Sequence, residues 1–136
     1  MNDQLWAVVV AGAVVLAAAC LEIYRSRRAR SRALGVTAER SSEPYIVYFT
    51  GDSCTVCKTH QEPALARLQS VRIDKVDAVA ERELADRFSV YTLPTTVVMS
   101  AEGTALHVNY GYAPAPKLER QLAEARGVPL RSAATA

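Results

Sequence analysis

The feature that most constrains the fold is a pair of cysteines, Cys54 and Cys57, placed just after an apolar run. The run Tyr45–Thr50 is continuous, β-branched and aromatic, which is typical of a strand buried on both faces. A turn at Gly51–Ser53 separates it from the cysteines. Because positions i and i+3 share a helix face, the two thiols can close a disulfide within one helical turn. The pattern predicts a strand, a turn, and a helix that begins at the cysteines.

The spacing of the cysteines favours reversible redox chemistry. A helix N-terminus offers unpaired N–H groups and the positive end of the helix dipole, and both stabilise a thiolate, the species that attacks disulfides. We therefore expect Cys54 to be the more exposed nucleophile and Cys57, one turn further on, to be the more buried resolving thiol. A disulfide between such close neighbours removes little unfolded-chain entropy. The chain has 3 cysteines, too few for a disulfide framework.

An uncharged apolar segment, Leu5–Leu21, precedes the cysteine pair. Trp6 and Tyr24 lie at its two ends, and the segment with its margin approaches the roughly 20 residues that span a bilayer. We expect a transmembrane helix over residues 5–24 of a single-pass cell-membrane protein. A cleaved signal peptide is the alternative, although such peptides carry positive charge before the apolar core. A lipidated Cys20 is a further alternative; we favour a small apolar residue within the membrane helix.

Arginines follow the apolar segment at once, namely Arg25, Arg27, Arg28, Arg30 and Arg32. Basic residues beside a span favour the cytoplasmic side, so we expect a cytoplasmic domain, with an extracytoplasmic one as the alternative. The arginines are interpreted either as a solvated tether or as a site for anionic lipid headgroups. Residues 25–43 are predicted to form a basic juxtamembrane segment and linker. A net charge of +2 gives no indication of nucleic-acid binding.

The remaining apolar patterns predict one α/β domain over residues 44–126 and a disordered tail over residues 127–136. After the first strand they predict a helix from Cys57 to Gln69 containing Pro63, a strand from Val71 to Asp77, a helix from Glu81 to Phe88, a strand from Thr95 to Met99, a turn at Ala101–Gly103, a strand from Ala105 to Tyr110 and a helix from Pro116 to Arg126. The order is β-α-β-α-β-β-α, with a parallel pair first and an antiparallel hairpin later.

From Pro44 to Arg126 the chain resembles the thioredoxin family. The resemblance rests on the C-x-x-C after the first strand, Lys58, Asp77, the run Val90–Thr95, Gly103 and Gly111. It implies a three-layer α/β/α fold with a central mixed sheet, here preceded by one N-terminal transmembrane helix. It also implies a thiol-disulfide oxidoreductase with a redox-active Cys54–Cys57 disulfide and no cofactor. Pro94, with Leu93 and Thr95, would be the cis-proline loop that docks substrate.

The chain departs from the family pattern at several positions. Tyr48 stands where the family has a buried acid that takes a proton from the second cysteine, and Ser53 replaces the tryptophan before the first. Thr55–Val56 replaces the Gly-Pro between the cysteines, and Pro63 falls one residue later than the family's helix proline. The family's extra N-terminal strand and helix have no counterpart before Pro44. The reduction potential, the partner reductase and the substrate are therefore not carried over.

Three neighbours of the cysteines are interpreted either as tuning residues or as ordinary turn and helix-start residues. Asp52 would disfavour the Cys54 thiolate by like-charge repulsion, and Lys58 would offset that repulsion. The Thr55 hydroxyl would donate a hydrogen bond to a sulfur. If these interactions form, they adjust the reactivity of the pair without changing its chemistry.

Two other functions remain alternatives. The chain would be a non-enzymatic adaptor if Tyr48 prevents fast turnover. Cys54, Cys57 and His60 step along one helix face and suggest zinc, but a tetrahedral site needs a fourth ligand or water. His107, the only other histidine, is predicted in the hairpin strand. We favour an oxidoreductase without a metal, whose partners are protein disulfides, a reductant of unknown identity and the membrane.

Overall fold

The computed structural model describes residues 2–34 and 36–127, so the predicted tail lies outside the described residues except for Gly127. The helices are α1 (Asn2–Ala33), α2 (Glu62–Ala66), α3 (Arg82–Arg87) and α4 (Ala115–Ala125), the strands are β1 (Tyr45–Thr50), β2 (Ile73–Asp77), β3 (Thr95–Met99) and β4 (Ala105–Tyr110), and a π-helix over Cys57–Gln61 leads into α2. The order of elements predicted for the domain is confirmed.

The four strands form one mixed sheet in the order β2-β1-β3-β4. β1 pairs in parallel with β2 and antiparallel with β3, and β3 forms an antiparallel hairpin with β4. Every residue of β1 and β3 is buried, because helices cover both faces of these two central strands. The predicted parallel pair and later hairpin are both confirmed.

Alternate residues of β1 belong to two cores on opposite faces of the sheet. Val47 and Phe49 pack on the face covered by α3. Ile46 and Tyr48 pack on the other face, with Cys57, α2 and α4. This alternation follows from the two-residue period of a strand, and it confirms the three-layer α/β/α arrangement.

The segment after the cysteines differs from the predicted helix Cys57–Gln69. It begins as a π-helix, in which the Glu62 amide donates to the Cys57 carbonyl five residues earlier, and α2 then ends at Ala66. Pro63, at the start of α2, supplies a physical reason. A proline has no amide hydrogen and its ring crowds the preceding turn, so the regular ladder of bonds is interrupted there.

The helix α1 continues beyond the expected span, through the arginines, to Ala33. Its length and composition suit a membrane span or a signal sequence. Ala33 is fully buried in the core on the α3 side of the sheet. Beyond α1, the Ala38 amide donates to the Gly103 carbonyl of the β3–β4 turn at 2.7 Å. Residues 25–43, expected to be a basic segment and linker, are therefore helical at first and then partly attached to the domain.

Candidate active site

Cys54 and Cys57 form a disulfide, with their Cα atoms 5.3 Å apart. The pair lies at the carboxyl end of β1, where the turn Gly51–Ser53 leads the chain into the helical segment. Cys57 is fully buried, whereas Cys54 is partly exposed. The Cys57 amide donates to Cys54 Sγ at 3.2 Å. A helix-start N–H group is therefore aimed at the one sulfur of the pair that a second reactant can reach.

The loop that faces the cysteines contains a cis peptide bond between Leu93 and Pro94, as expected. Pro94 is buried, and its carbonyl accepts a hydrogen bond from the Gly111 amide at 2.8 Å. Thr95 is also buried, and its Oγ1 donates to the Thr92 carbonyl at 2.8 Å. These bonds hold the loop at the start of β3.

An open groove of about 480 Å³ lies beside Cys54. We call it the cysteine groove. It is lined by Ser53, Cys54, Ala78, Arg82, Ala85, Asp86 and residues 90–93. A Cβ atom on Gly51 would lie 3.1 Å from Leu93 Cδ1, so the cysteine turn and the proline loop are in close contact. Of the three residues expected to dock substrate, Leu93 lines the groove, and Pro94 and Thr95 are buried behind it.

The expected tuning residues make helix-start contacts. Lys58 Nζ donates to the Asp52 carbonyl at 2.6 Å. The Thr55 carbonyl accepts a hydrogen bond from Thr59 Oγ1 at 2.9 Å. All of these residues are exposed, and the hydrogen bonds of the described part of the chain include none from the Thr55 hydroxyl to a sulfur. In the oxidised protein the Lys58 side chain therefore supports the local backbone, whereas Asp52 and Thr55 contribute only their carbonyl groups to these bonds.

Tyr48 lies in the same core cluster as Cys57 and is 1% exposed. Its hydroxyl has no hydrogen-bond partner among residues 2–34 and 36–127. Burial raises the pKa of Tyr48, and an interaction with the Thr50 side chain, which does not meet hydrogen-bond geometry, lowers this pKa by less. The phenol is therefore neutral at physiological pH. It has a proton to donate, but it does not accept a proton as a carboxylate would.

Gln61 is a functional neighbour that the sequence analysis missed. Its side chain is fully buried. Gln61 Nε2 donates to the Ala113 carbonyl at 3.0 Å, and the Ala113 amide donates to Gln61 Oε1 at 2.9 Å. This pair of bonds joins the π-helix that begins at Cys57 to the loop before α4. The one signal in the sequence is an amide residue four positions after the second cysteine.

The two histidines make their polar contacts with residues other than the cysteines. His60 Nδ1 is 2.7 Å from Thr59 Oγ1, and His107 Nε2 is 3.1 Å from Glu124 Oε2. Within the described ranges, no group of three or more His, Cys, Asp or Glu side chains is placed to hold a metal ion. The geometry thus gives the zinc hypothesis no support from His107.

Comparison with known proteins matches residues 33–126 to the family model of a thioredoxin-like domain. Similar solved structures include thioredoxin-2 of the malaria parasite, a component of its protein secretion machinery, with 24% identity, a TM-score of 0.55, and coverage of 66% of this chain and 88% of that one. Thioredoxin from Fasciola hepatica gives 25% identity, a TM-score of 0.54, and coverage of 62% and 82%. These likenesses support the fold. None of the curated proteins compared with the sequence matches it.

Proposed function

The chain belongs to the family of thioredoxin-like domains, and we propose that it is a membrane-anchored thiol-disulfide oxidoreductase that acts through Cys54 and Cys57. The observation that carries this proposal is the unequal exposure of two cysteines that already form a disulfide. One sulfur opens onto a groove beside the cis-proline loop, and the other is buried directly behind it. Attack and resolution need this division between an accessible thiol and a shielded one.

The proposed reaction transfers two electrons from the cysteine pair to a substrate disulfide. The Cys54 thiolate attacks one substrate sulfur, a mixed disulfide forms, and the other substrate sulfur leaves as a thiolate that takes up a proton. Cys57 then loses its proton and attacks Cys54 Sγ. This step releases the second substrate sulfur, which is protonated in turn, and closes the Cys54–Cys57 disulfide. A thiol reductant supplied by the cell returns the two electrons.

Some residues around the cysteine pair would assist the attack by Cys54, but none of them would take the proton from Cys57. The Cys57 amide, 3.2 Å from Cys54 Sγ, stabilises negative charge on the attacking sulfur. Tyr48, neutral and buried beside Cys57, does not act as the proton acceptor for the resolving thiol. We propose that the departing substrate thiolate or solvent takes that proton. Leu93 would contact the substrate chain in the cysteine groove, with Pro94 and Thr95 holding its loop in place.

We further propose that α1 anchors the protein in the cell membrane, with the domain on the cytoplasmic side. The arginines cluster on the domain side of the apolar run, and basic residues beside a span favour cytoplasmic placement. The cytoplasm keeps thiols reduced, so a role in reducing protein disulfides fits that location. The alternative is an extracytoplasmic domain that maintains the thiols of exported proteins.

A pair of single substitutions tests the assignment of roles. In a Cys20→Ser background, Cys57→Ser should trap a mixed disulfide through Cys54, whereas the matched variant Cys54→Ser should trap little, because its remaining thiol is buried. Non-reducing gels and mass spectrometry of the trapped species give the measurement. Equal trapping by the two variants, or none by either, would contradict the roles. A reduced wild-type protein that reduces no disulfide would favour the adaptor function.

A further inference from the structure

The basic end of α1 forms one wall of a second groove, which we call the arginine groove. This open groove of about 420 Å³ is lined by Arg25, Arg28 and Arg32 on α1 and by Asp86 and Tyr91 on the domain, among others. Asp86 and Tyr91 also line the cysteine groove. The two grooves therefore share lining residues and lie next to each other on the protein surface.

The domain holds this part of α1 in place. Ser26 and Ala29 are partly buried and Ala33 is fully buried, and their spacing of three and four residues puts them on one helix face. The arginines between them are exposed. Just beyond the helix, Arg87 donates to the Thr37 carbonyl at 3.0 Å. The arginine wall is thus packed against the domain, and its position relative to the cysteine groove is defined.

The arginine groove carries a surplus of positive charge. Asp86 is the one carboxylate among its lining residues. Within the described part of the chain, Arg25, Arg28 and Arg32 form no ion pair within 4.0 Å. Arg82 adds a further guanidinium to the lining of the cysteine groove. A guanidinium with no partner favours a carboxylate, which it can bind through two parallel hydrogen bonds.

We propose that the arginine groove binds acidic side chains that flank the reacting cysteine of the substrate, so that the preferred substrate is an acidic polypeptide. This inference rests on the proposed function of the cysteine pair. Arg25 and Arg32 are separated by about 10 Å along the helix axis, at about 1.5 Å per residue. An extended polypeptide covers that distance in about three residues, at about 3.3 Å each. A short acidic stretch next to the substrate cysteine therefore matches the wall in length.

The test measures substrate preference in the full-length protein in vesicles of uncharged lipid. Two synthetic disulfide peptides differ only in their flanks, Asp and Glu in one and Asn and Gln in the other. At low salt we expect a KM about tenfold lower for the acidic peptide, the size expected of several exposed charge pairs acting together. The Arg28→Gln/Arg32→Gln variant should lose most of that ratio. The Arg67→Gln/Arg120→Gln variant removes the same charge from exposed positions outside the groove lining, and it should retain the ratio.

Each outcome of this experiment either supports or overturns the proposed preference for acidic substrates. Equal KM values for the two peptides in the wild type, or a ratio that survives in Arg28→Gln/Arg32→Gln, would overturn the proposal. A wild-type preference that is lost when anionic lipid is added to the vesicles would show that headgroups occupy the arginines, and the proposal would be wrong. Failure of the proposed function has a different signature, because neither peptide would then be reduced by any variant. Comparing the two peptides within one variant also removes differences in folding or yield.

Discussion

Two tyrosines of β1 provide a sharp test of the buried polar groups near the cysteines. Tyr45 and Tyr48 are both 1% exposed, but their hydroxyls differ. The Tyr45 hydroxyl donates to the Glu39 carbonyl at 2.8 Å, whereas the Tyr48 hydroxyl has no partner in the described ranges. The same substitution, Tyr to Phe, should therefore change the free energy of unfolding in opposite directions at these two positions.

The expected magnitudes follow from the hydrogen-bond accounting. A buried polar group without a partner destabilises a protein by about 1–3 kcal/mol, and a satisfied hydrogen bond contributes a net stabilisation of about 1 kcal/mol. Tyr48→Phe removes the first penalty but also loses the packing of one oxygen atom, so we expect a gain of about 1 kcal/mol. Tyr45→Phe should lose about 1 kcal/mol. The two variants should differ by about 2 kcal/mol, which is roughly 8–16 °C in the melting temperature of a domain of this size.

Urea unfolding of the oxidised full-length protein in detergent micelles measures the difference, with tyrosine near-UV circular dichroism reporting on the domain. A loss of stability in Tyr48→Phe comparable to that in Tyr45→Phe would refute the reasoning, since the Tyr48 hydroxyl would then have a partner. Repeating the measurement on reduced protein adds a control. If Tyr48→Phe stabilises the oxidised protein and not the reduced protein, the hydroxyl acquires a partner on reduction, and this result would identify that partner as the Cys57 thiol.

Two further predictions concern alkaline stability and topology. Burial, and to a smaller extent the neighbouring Tyr91, raises the pKa of Tyr110 to about 12. As pH rises from about 10 to about 12, the unfolded chain loses this proton before the folded protein does, so the free energy of unfolding should fall. Urea unfolding at each pH should show a shallower fall in Tyr110→Phe. On intact cells of a Cys20→Ser strain, treated with an impermeant reductant, an impermeant maleimide should label Cys54 only after lysis. Labelling before lysis would place the domain outside.

Three of the four strands could be predicted from the sequence with their boundaries. Tyr45–Thr50, Thr95–Met99 and Ala105–Tyr110 were predicted and are confirmed as β1, β3 and β4. β1 and β3 are covered on both faces and need apolar side chains throughout, so their apolar runs coincide with their lengths. β4 is an edge strand, and its bounds are set instead by the turn at Ala101–Gly103 and by Gly111. β2 lies at the edge of the sheet and begins at Ile73, two residues later than predicted. Its burial is incomplete, and the apolar pattern therefore marks its start less sharply.

The candidate site could be predicted from the sequence only where it consists of local motifs. The cysteine pair and the proline loop are local motifs, and their local geometry could be expected from neighbouring residues. The hydrogen bonds between Gln61 and Ala113 join residues 52 positions apart, and no local sequence pattern predicts such a pair. The neutral, unpartnered state of Tyr48 likewise depends on what surrounds it across the sheet. Sequence reasoning identified its position but not its environment.

The basic end of α1 shows why a charge run alone is ambiguous. The same five arginines would be expected in the sequence whether they form a solvated tether or pack beside the domain and line a groove. The difference lies in three small residues, Ser26, Ala29 and Ala33, which let the helix approach the domain closely. This close approach also brings the end of the apolar run near the cysteine groove. Tyr91 lines one groove with Glu22 and Ile23 at the end of that run, and it lines the cysteine groove with Cys54. If α1 spans the membrane, the cysteine groove must open close to the membrane surface, so the proposals on anchoring and on substrate preference constrain each other.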